Sequence, residues 1–447
     1  MVALWAAAIA LHAVLAAQES VAPVPPPLPQ QLILLARAKQ HMREVLLRQP
    51  NYTCQMSIER SRRRNPRRGF ELVDQLRLEV ALIDGKESFS WPGARKFDER
   101  ELREMVGGTS STGSFALHAR AVFFGNAPRF TYLGPRTRDG GRLTHVWRFD
   151  VAQMQSAYVL RVGVRDGSTQ QATVSYRGEV AIEDGTLDMV SLFYTAEEIP
   201  AHLGLQSTAD TIRYERLRIG EESHLLPVMS DLQITADDGT TNRNVTRFHN
   251  CRQYAGESVI SFDEPPAEGA PPPAAPQPIP PLPAGLSMEA DLEAAVAHPV
   301  VVGNPIRFIL TRPARRKGIT YLPKATVVHA RLVRSGTIPG RVPFTYYTLL
   351  FEQIEVNGVF ADIPLRLDDV LPPQIGTIRQ AVLGFEPTEP TPKPGHFTVA
   401  ISGNRPELRK GLRLILSVAH APAAAPAASP VSPPTAAPTP LPSPAPK

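Results

Sequence analysis

Cys54 and Cys251 are the only two thiols in a chain of 447 residues, and what they can do depends on the compartment. In an oxidising one, two cysteines near opposite ends of a domain pair as a disulfide. Closing so long a loop would stabilise the fold by about 5 kcal/mol in a chain-entropy treatment. The alternative is two separately buried thiols. His249 stands two residues before Cys251, on the same face of a predicted strand, so a His–Cys metal pair is chemically conceivable. Oxidation of Cys251 would remove its thiolate. No His-Glu-x-x-His and no Cys-x-x-Cys occurs, so neither a metal nor a cofactor site is assigned. His145 alternates with Leu143 and Trp147 and reads as a half-buried core histidine rather than a base.

Other catalytic patterns fail on inspection. The glycine- and serine-rich run Gly107–Ser114 lacks the Gly-Lys-Ser/Thr ending of a phosphate-binding loop, and no strand feeds it. It reads as a helix linker, with Thr112 or Ser114 as the N-cap. There is no Gly-x-Ser-x-Gly elbow for a serine hydrolase. Glu197-Glu198 and Asp237-Asp238 are sequence neighbours that point opposite ways in extended chain or sit in turns, which suits solvation better than acid–base catalysis. No constellation supports an enzyme, and the chain is read as non-enzymatic.

Basic residues offer the other chemistry. Arg60, Arg62, Arg63, Arg64, Arg67 and Arg68 make the densest run, and Arg315-Arg316-Lys317 a smaller one. Both are candidate contacts to an anionic surface, lipid headgroups or acidic glycan; the plainer account is a solvated hairpin tip. Aromatic residues do not interleave with either run, so nucleic acid is not an expected partner. The net charge is +5, and residues 286–420 carry the excess, with 16 Lys and Arg against 11 Asp and Glu.

These residues must be positioned by elements that the patterning reveals. Residues 1–17 form a short apolar stretch ending in small residues, which predicts a cleaved secretory signal, with an uncleaved anchor as the alternative. The chain is therefore expected to be exported, periplasmic or associated with the outer membrane. A Pro-rich segment, 18–27, leads to an amphipathic helix from Leu28 to Arg48 whose apolar residues are Leu28, Leu32, Leu35, Met42, Val45 and Leu46. Strands follow from Tyr52, with two more between 70 and 91 split by Asp84-Gly85. Helical patterns at 98–106 and 115–124 interrupt them. Period-two runs then place Leu143, Trp147, Phe149 and Val151 on one face, and Tyr158, Leu160, Val162 and Val164 on another. Further strands are expected near 211–220, 226–235, 244–252 and 257–263. Of the 46 prolines, 25 fall in 21–30, 264–285 and 421–447, which marks 264–285 as a linker and 421–447 as a disordered tail. The expected fold is mainly β: a curved antiparallel half-barrel over 28–263 with an N-terminal helix and helical insert, then a smaller basic β domain over 286–420.

Several short strings carry a resemblance. They are Asn51-Tyr52-Thr53-Cys54, Thr112-Gly113-Ser114-Phe115, Tyr176 to Thr186, His224-Leu225-Leu226-Pro227-Val228 and Phe248 to Tyr254. On these the N-terminal region resembles the LolA-like fold of periplasmic lipid and lipoprotein carriers, and more closely a group of exported proteins of acidobacterial type. Val302-Gly303-Asn304-Pro305-Ile306 and Tyr321 to Thr326 resemble, more distantly, small β domains of envelope and secretion-channel proteins. The resemblance implies a concave face able to hold an apolar or lipid ligand. The alternative is a structural or assembly scaffold that engages envelope proteins through the β domain and Pro-rich tail.

Overall fold

Side chains that alternate along strands, and recur every three or four residues along helices, decide how this chain packs. The computed structural model describes residues 29–94, 97, 102–137, 141–163, 168–254, 279–297, 299–338, 344–371, 382–384, 395–402 and 407–419. The expected signal segment, the Pro-rich segment 18–27, the tail 421–447, the strand at 257–263 and the linker up to residue 278 lie outside the described residues.

Helix α1 (Gln30–Leu47) leads into β1 (Tyr52–Arg63), β2 (Glu71–Ile83) and β3 (Lys86–Ser90). Two short helices, α2 (Leu102–Val106) and α3 (Leu117–Phe124), interrupt the strands. The first unit continues through β4 (Arg129–Thr137), β5 (Leu143–Val151), β6 (Val159–Gly163), β7 (Thr169–Thr173), β8 (Ser175–Glu183) and β9 (Met189–Glu197). It closes with β10 (Leu205–Ile219), β11 (Glu222–Ala236) and β12 (Thr241–Gln253). The second unit opens with β13 (Ser287–Leu292), β14 (Val301–Val302), β15 (Pro305–Leu310), β16 (Ala314–Arg316) and β17 (Ile319–Leu322). It continues with β18 (Val327–Ile338), β19 (Phe344–Val356), β20 (Val359–Ala361), β21 (Leu365–Leu371), β22 (Val382–Gly384), β23 (His396–Ser402) and β24 (Arg413–Val418).

The first sheet has 11 strands in the order β14-β2-β1-β12-β11-β10-β9-β8-β5-β4, with β3 beside β2. It is a curved half-barrel, mainly antiparallel, as the alternation predicts. Asp84 and Gly85 both adopt positive φ, 50° and 78°, the geometry of a two-residue hairpin between β2 and β3. The second sheet has 9 strands, β21-β24-β13-β15-β18-β19-β23-β22, with β20 beside β19.

Cys54 and Cys251 are disulfide-bonded, their Cα atoms 4.1 Å apart. β1 and β12 are adjacent, and a bulge brings the two residues together: the register shifts between Thr53 and Gln55, and Asn250 sits at φ 52°. That extra residue corrects the reading of His249. Phe248 is buried, His249 and Asn250 are exposed, and Cys251 turns back toward the core. Histidine and sulfur therefore do not share a face, and the thiolate is consumed by the bond. Among the described residues no group of three or more His, Cys, Asp or Glu could hold a metal, and no helix is long and apolar enough to cross a membrane.

Two cores result. In one, α1 and α3 fill much of the concave face: Ala38, Met42, Leu46, Ala119, Val122 and Phe123 pack on Trp147, Phe149, Val180, Leu192 and Ile212. The inward stripe of α1 is thus Ala38, Met42 and Leu46, whereas Leu32, expected to face inward, is 48% exposed. Leu143 is likewise exposed, at the end of β5. The larger core runs without a break from Tyr52, Leu76, Leu78 and Trp91 of the first unit to Val302, Phe308, Leu332 and Leu414 of the second. Burying each such side chain contributes on the order of 1.5–3 kcal/mol. The two units are also joined through backbone. Val301 and Val302 pair in parallel with Gln75 and Leu76 of β2, and the next amide, Gly303 N–H, donates to Leu332 O at 2.7 Å.

Candidate functional site

The half-barrel's concave face is only partly covered by its helices. Beyond α3 a cavity of about 390 Å³ remains, within the size range of small-ligand sites. Its floor is sheet: Tyr176 of β8, Tyr194 of β9, Leu205 of β10, and Leu232 and Ile234 of β11. One side is β6 with the preceding Ala157 and Tyr158, and the other is His118 of α3 with the Ser110–Gly113 loop. Leu160 and Val162 share a face, as their alternation predicts, but do not join the main sheet. Instead β6 and β7 form a separate two-stranded hairpin with its own small core of Leu160, Val174, Ala196 and Leu203. Val164 lies outside the described residues. That departure of β6 and β7 from the sheet creates the cavity's wall.

The lining is aromatic and largely satisfied. Tyr158 meets Tyr194 and Tyr176 edge to face, each pair with ring centroids 5.7 Å apart. His118 lies against Tyr194 at 4.3 Å. The polar ends of these rings are engaged elsewhere. Tyr194 donates its hydroxyl to Asp210 Oδ2 at 2.9 Å, Ser230 donates to Asp210 Oδ1 at 2.7 Å, and the Tyr158 and Thr208 hydroxyls are 3.3 Å apart. Burial pushes the Asp210 carboxyl above the usual range, while the hydrogen bonds from Ser230 and Tyr194 pull it back. Burial also raises the Tyr194 phenol well above its ordinary value. His118 is lowered to about 4, again by burial, against the opposing effect of its bond to the Thr112 carbonyl. It is therefore neutral at pH 7, with Nε2–H donating to that carbonyl at 3.1 Å. Arg103 of α2 and the exposed Arg161 of β6 also line the cavity, and Arg161 Nε donates to Gln171 Oε1 at 3.2 Å.

The loop that walls the cavity is held by groups distant in sequence. Glu87 of β3 accepts from the amides of Gly113, Ala116 and Leu117 at 2.7, 2.8 and 3.2 Å. It takes the role assigned to Thr112 or Ser114: the N-cap of α3 is Ala116, which makes no side-chain cap bond. The reason is geometric, because a carboxylate on the adjacent strand reaches three orphan amides together. Burial raises the Glu87 carboxyl, and these amide donors oppose that rise.

The sequence-selected basic residues are not brought together. Arg60 is corrected outright: it is 8% exposed and bonds both oxygens of Asp74, so it cannot meet an external surface. Arg63 covers the Phe70 ring at 4.7 Å. Arg62, Arg64, Arg67 and Arg68 are exposed at or near the β1–β2 tip. Arg315, Arg316 and Lys317 are exposed on the separate β16–β17 hairpin. His145 is a structural histidine, bonded to the Tyr132 hydroxyl at 2.7 Å and near Asp184 at 3.3 Å. Glu197 pairs with Arg177, and Asp238 accepts the Thr240 amide in a turn.

No family model matches the chain, and no curated protein matches it. Among solved structures, a DUF1329 family protein from Desulfovibrio piger ATCC 29098 aligns over 50% of this chain and 94% of its own, at 12% identity and a TM-score of 0.27. So loose a superposition carries neither ligand nor role across.

Sequence reasoning missed the buried carboxylate that holds the cavity's Tyr194 from behind. Asp210 lies at an inward period-two position between Thr208 and Ile212, all three buried. An acidic residue in that phase was the available signal, but the strand had been expected to start at 211.

Proposed function

We propose that this is an exported, non-enzymatic binding protein that holds an apolar or lipid ligand against the concave face of its half-barrel. The observation that carries this reading is the 390 Å³ cavity that α1 and α3 leave uncovered, lined by tyrosine rings and by Leu205, Leu232 and Ile234. His118 in its wall is neutral, and the Tyr194 hydroxyl is taken by the buried Asp210, which suits an apolar guest. The resemblance to LolA-like carriers points the same way, and the disulfide is in keeping with an oxidising, periplasmic or outer-membrane-associated setting. Native mass spectrometry of protein recovered from the periplasm should find a co-purified lipid-sized mass that organic extraction removes. Recovery of only the bare chain, with no uptake of added fatty acid, would contradict the proposal.

A further inference from the structure

The turn that joins β1 to β2 is closed by its own asparagine and presents arginine to solvent. Asn65 Oδ1 accepts the Arg67 amide at 2.9 Å, and Asn65 O accepts the Arg68 amide at 2.9 Å. Arg64, Arg67 and Arg68 are exposed, and among the described residues no carboxylate engages their guanidinium groups. The other arginines of the run are committed. Arg60 pairs with Asp74, Arg63 lies over the Phe70 ring at 4.7 Å, and Arg62 Nε donates to Asn242 Oδ1 at 3.0 Å. Three carboxylates share this end of the sheet. Glu71 is opposite Arg62 on β2, and Asp237 and Asp238 lie in the neighbouring β11–β12 turn, where Asp238 senses Arg62. The three uncommitted guanidinium groups are those on the β1–β2 turn itself.

The same tip exposes apolar surface. Leu72 is 38% and Val73 39% exposed at the start of β2, with Phe70 half-buried just before them. Guanidinium groups flanked by exposed aliphatic side chains suit a partner with an anionic surface and an apolar layer beneath it. A soluble polyanion would use the charge and leave Leu72 and Val73 in water. Strand register also sets the tip beside the aromatic cavity. Ile234, on that cavity's floor, is opposite Asn242 of β12, which is opposite Arg62 of β1. Directly opposed residues share a face, and two interstrand steps span about 10 Å. Arg62 and Val73 border a second cavity as well, of about 440 Å³, where the two units meet.

We infer that the β1–β2 tip docks this protein on an anionic phospholipid bilayer, with Arg64, Arg67 and Arg68 on lipid phosphates and Leu72 and Val73 entering the headgroup region. The choice of a bilayer rests in part on the reading of the neighbouring cavity as a lipid site; docking itself does not require that cavity to be filled. Three guanidinium groups beside three carboxylates give a modest attraction, which salt should screen.

Flotation of the full disulfide-bonded protein with mixed phosphatidylglycerol–phosphatidylcholine vesicles, and with phosphatidylcholine vesicles alone, tests the docking. The expected result is binding to the anionic vesicles only, released by high salt, and weakened on the order of tenfold or more when Arg64→Gln, Arg67→Gln and Arg68→Gln are combined. Leu72→Ser should weaken it severalfold. Arg315→Gln combined with Lys317→Gln, on the β16–β17 hairpin, should bind as the parent does. Fatty acid uptake should be equal in the parent and the triple variant, which separates the tip from the cavity. Vesicle binding without fatty acid uptake would support the docking and contradict the cavity reading alone. The docking would be overturned by no binding to anionic vesicles, by equal binding to both compositions, or by binding undiminished in the triple variant or in Leu72→Ser. Equal loss in the Arg315 and Lys317 variant, or binding to a soluble acidic polysaccharide but not to vesicles, would overturn it too.

Discussion

The loop Gly107–Gly113 has a cavity on either side, and the two differ in nearly every property. Inside the half-barrel, much of the lining is tyrosine rings and aliphatic side chains, and the Tyr194 hydroxyl bonds the buried Asp210 behind it. At the junction of the units, the walls carry three arginines among polar side chains, and Arg60 is paired there with Asp74. Gly108 lines both. The loop's carbonyls are engaged on both sides: Gly107 O by Arg60, Thr109 O by Asn244 and Thr112 O by His118. A run that superficially suggests a phosphate cradle is instead a partition between a space lined largely by tyrosines and aliphatic side chains and one lined by arginines and polar groups.

Breaking the frame that both cavities share should have the largest effect. Replacing Cys54 and Cys251 by Ser should lower stability by about 5 kcal/mol in chemical denaturation, because the bond closes a loop of 197 residues. Asp74→Asn should act on the junction side alone. It leaves Arg60 buried without its counter-charge and should cost roughly 3–5 kcal/mol, read from the same denaturation curves. Gly108→Ala attacks the partition directly. At φ +66° an added Cβ would lie 2.9 Å from Arg60 Nη1, and a loss of about 1–3 kcal/mol is expected.

The smallest effect should be a pH dependence confined to the aromatic side. His118 titrates near 4 in the folded protein, below its ordinary value of 6.5. Its contribution is intact above pH 6.5 and is lost as pH falls toward 4, because the unfolded chain takes up a proton that the native one refuses. Asp210 and Glu87, both raised, act in the opposite sense over the acid range. His118→Phe should therefore flatten the acid-side fall in melting temperature between pH 6.5 and 4, while Arg62→Gln should leave that slope unchanged.

How legible each region was in the sequence follows from how local its causes are. The opening helix, the first three strands and the Asp84-Gly85 turn were readable because periodicity and turn chemistry are local. The disulfide was readable because only one pairing exists. The separation of β6 and β7 from the sheet was not, since alternation says which face a residue takes and not which strand it joins. Nor was the addition of Val301–Val302 to β2, a two-residue pairing with no pattern of its own. Glu87 caps a helix 30 residues away in sequence, and Arg60 pairs with Asp74 across neighbouring strands. Both depend on tertiary register, which single-residue spacing does not encode.

Uptake of a fluorescent fatty acid by delipidated protein tests the central claim most directly, with Ile234→Trp to fill the aromatic cavity and Leu32→Trp on exposed α1 as the control. Saturable binding by the parent and by Leu32→Trp, reduced roughly tenfold in Ile234→Trp, is the predicted result. No saturable uptake by the parent, or equal uptake by all three, would contradict it.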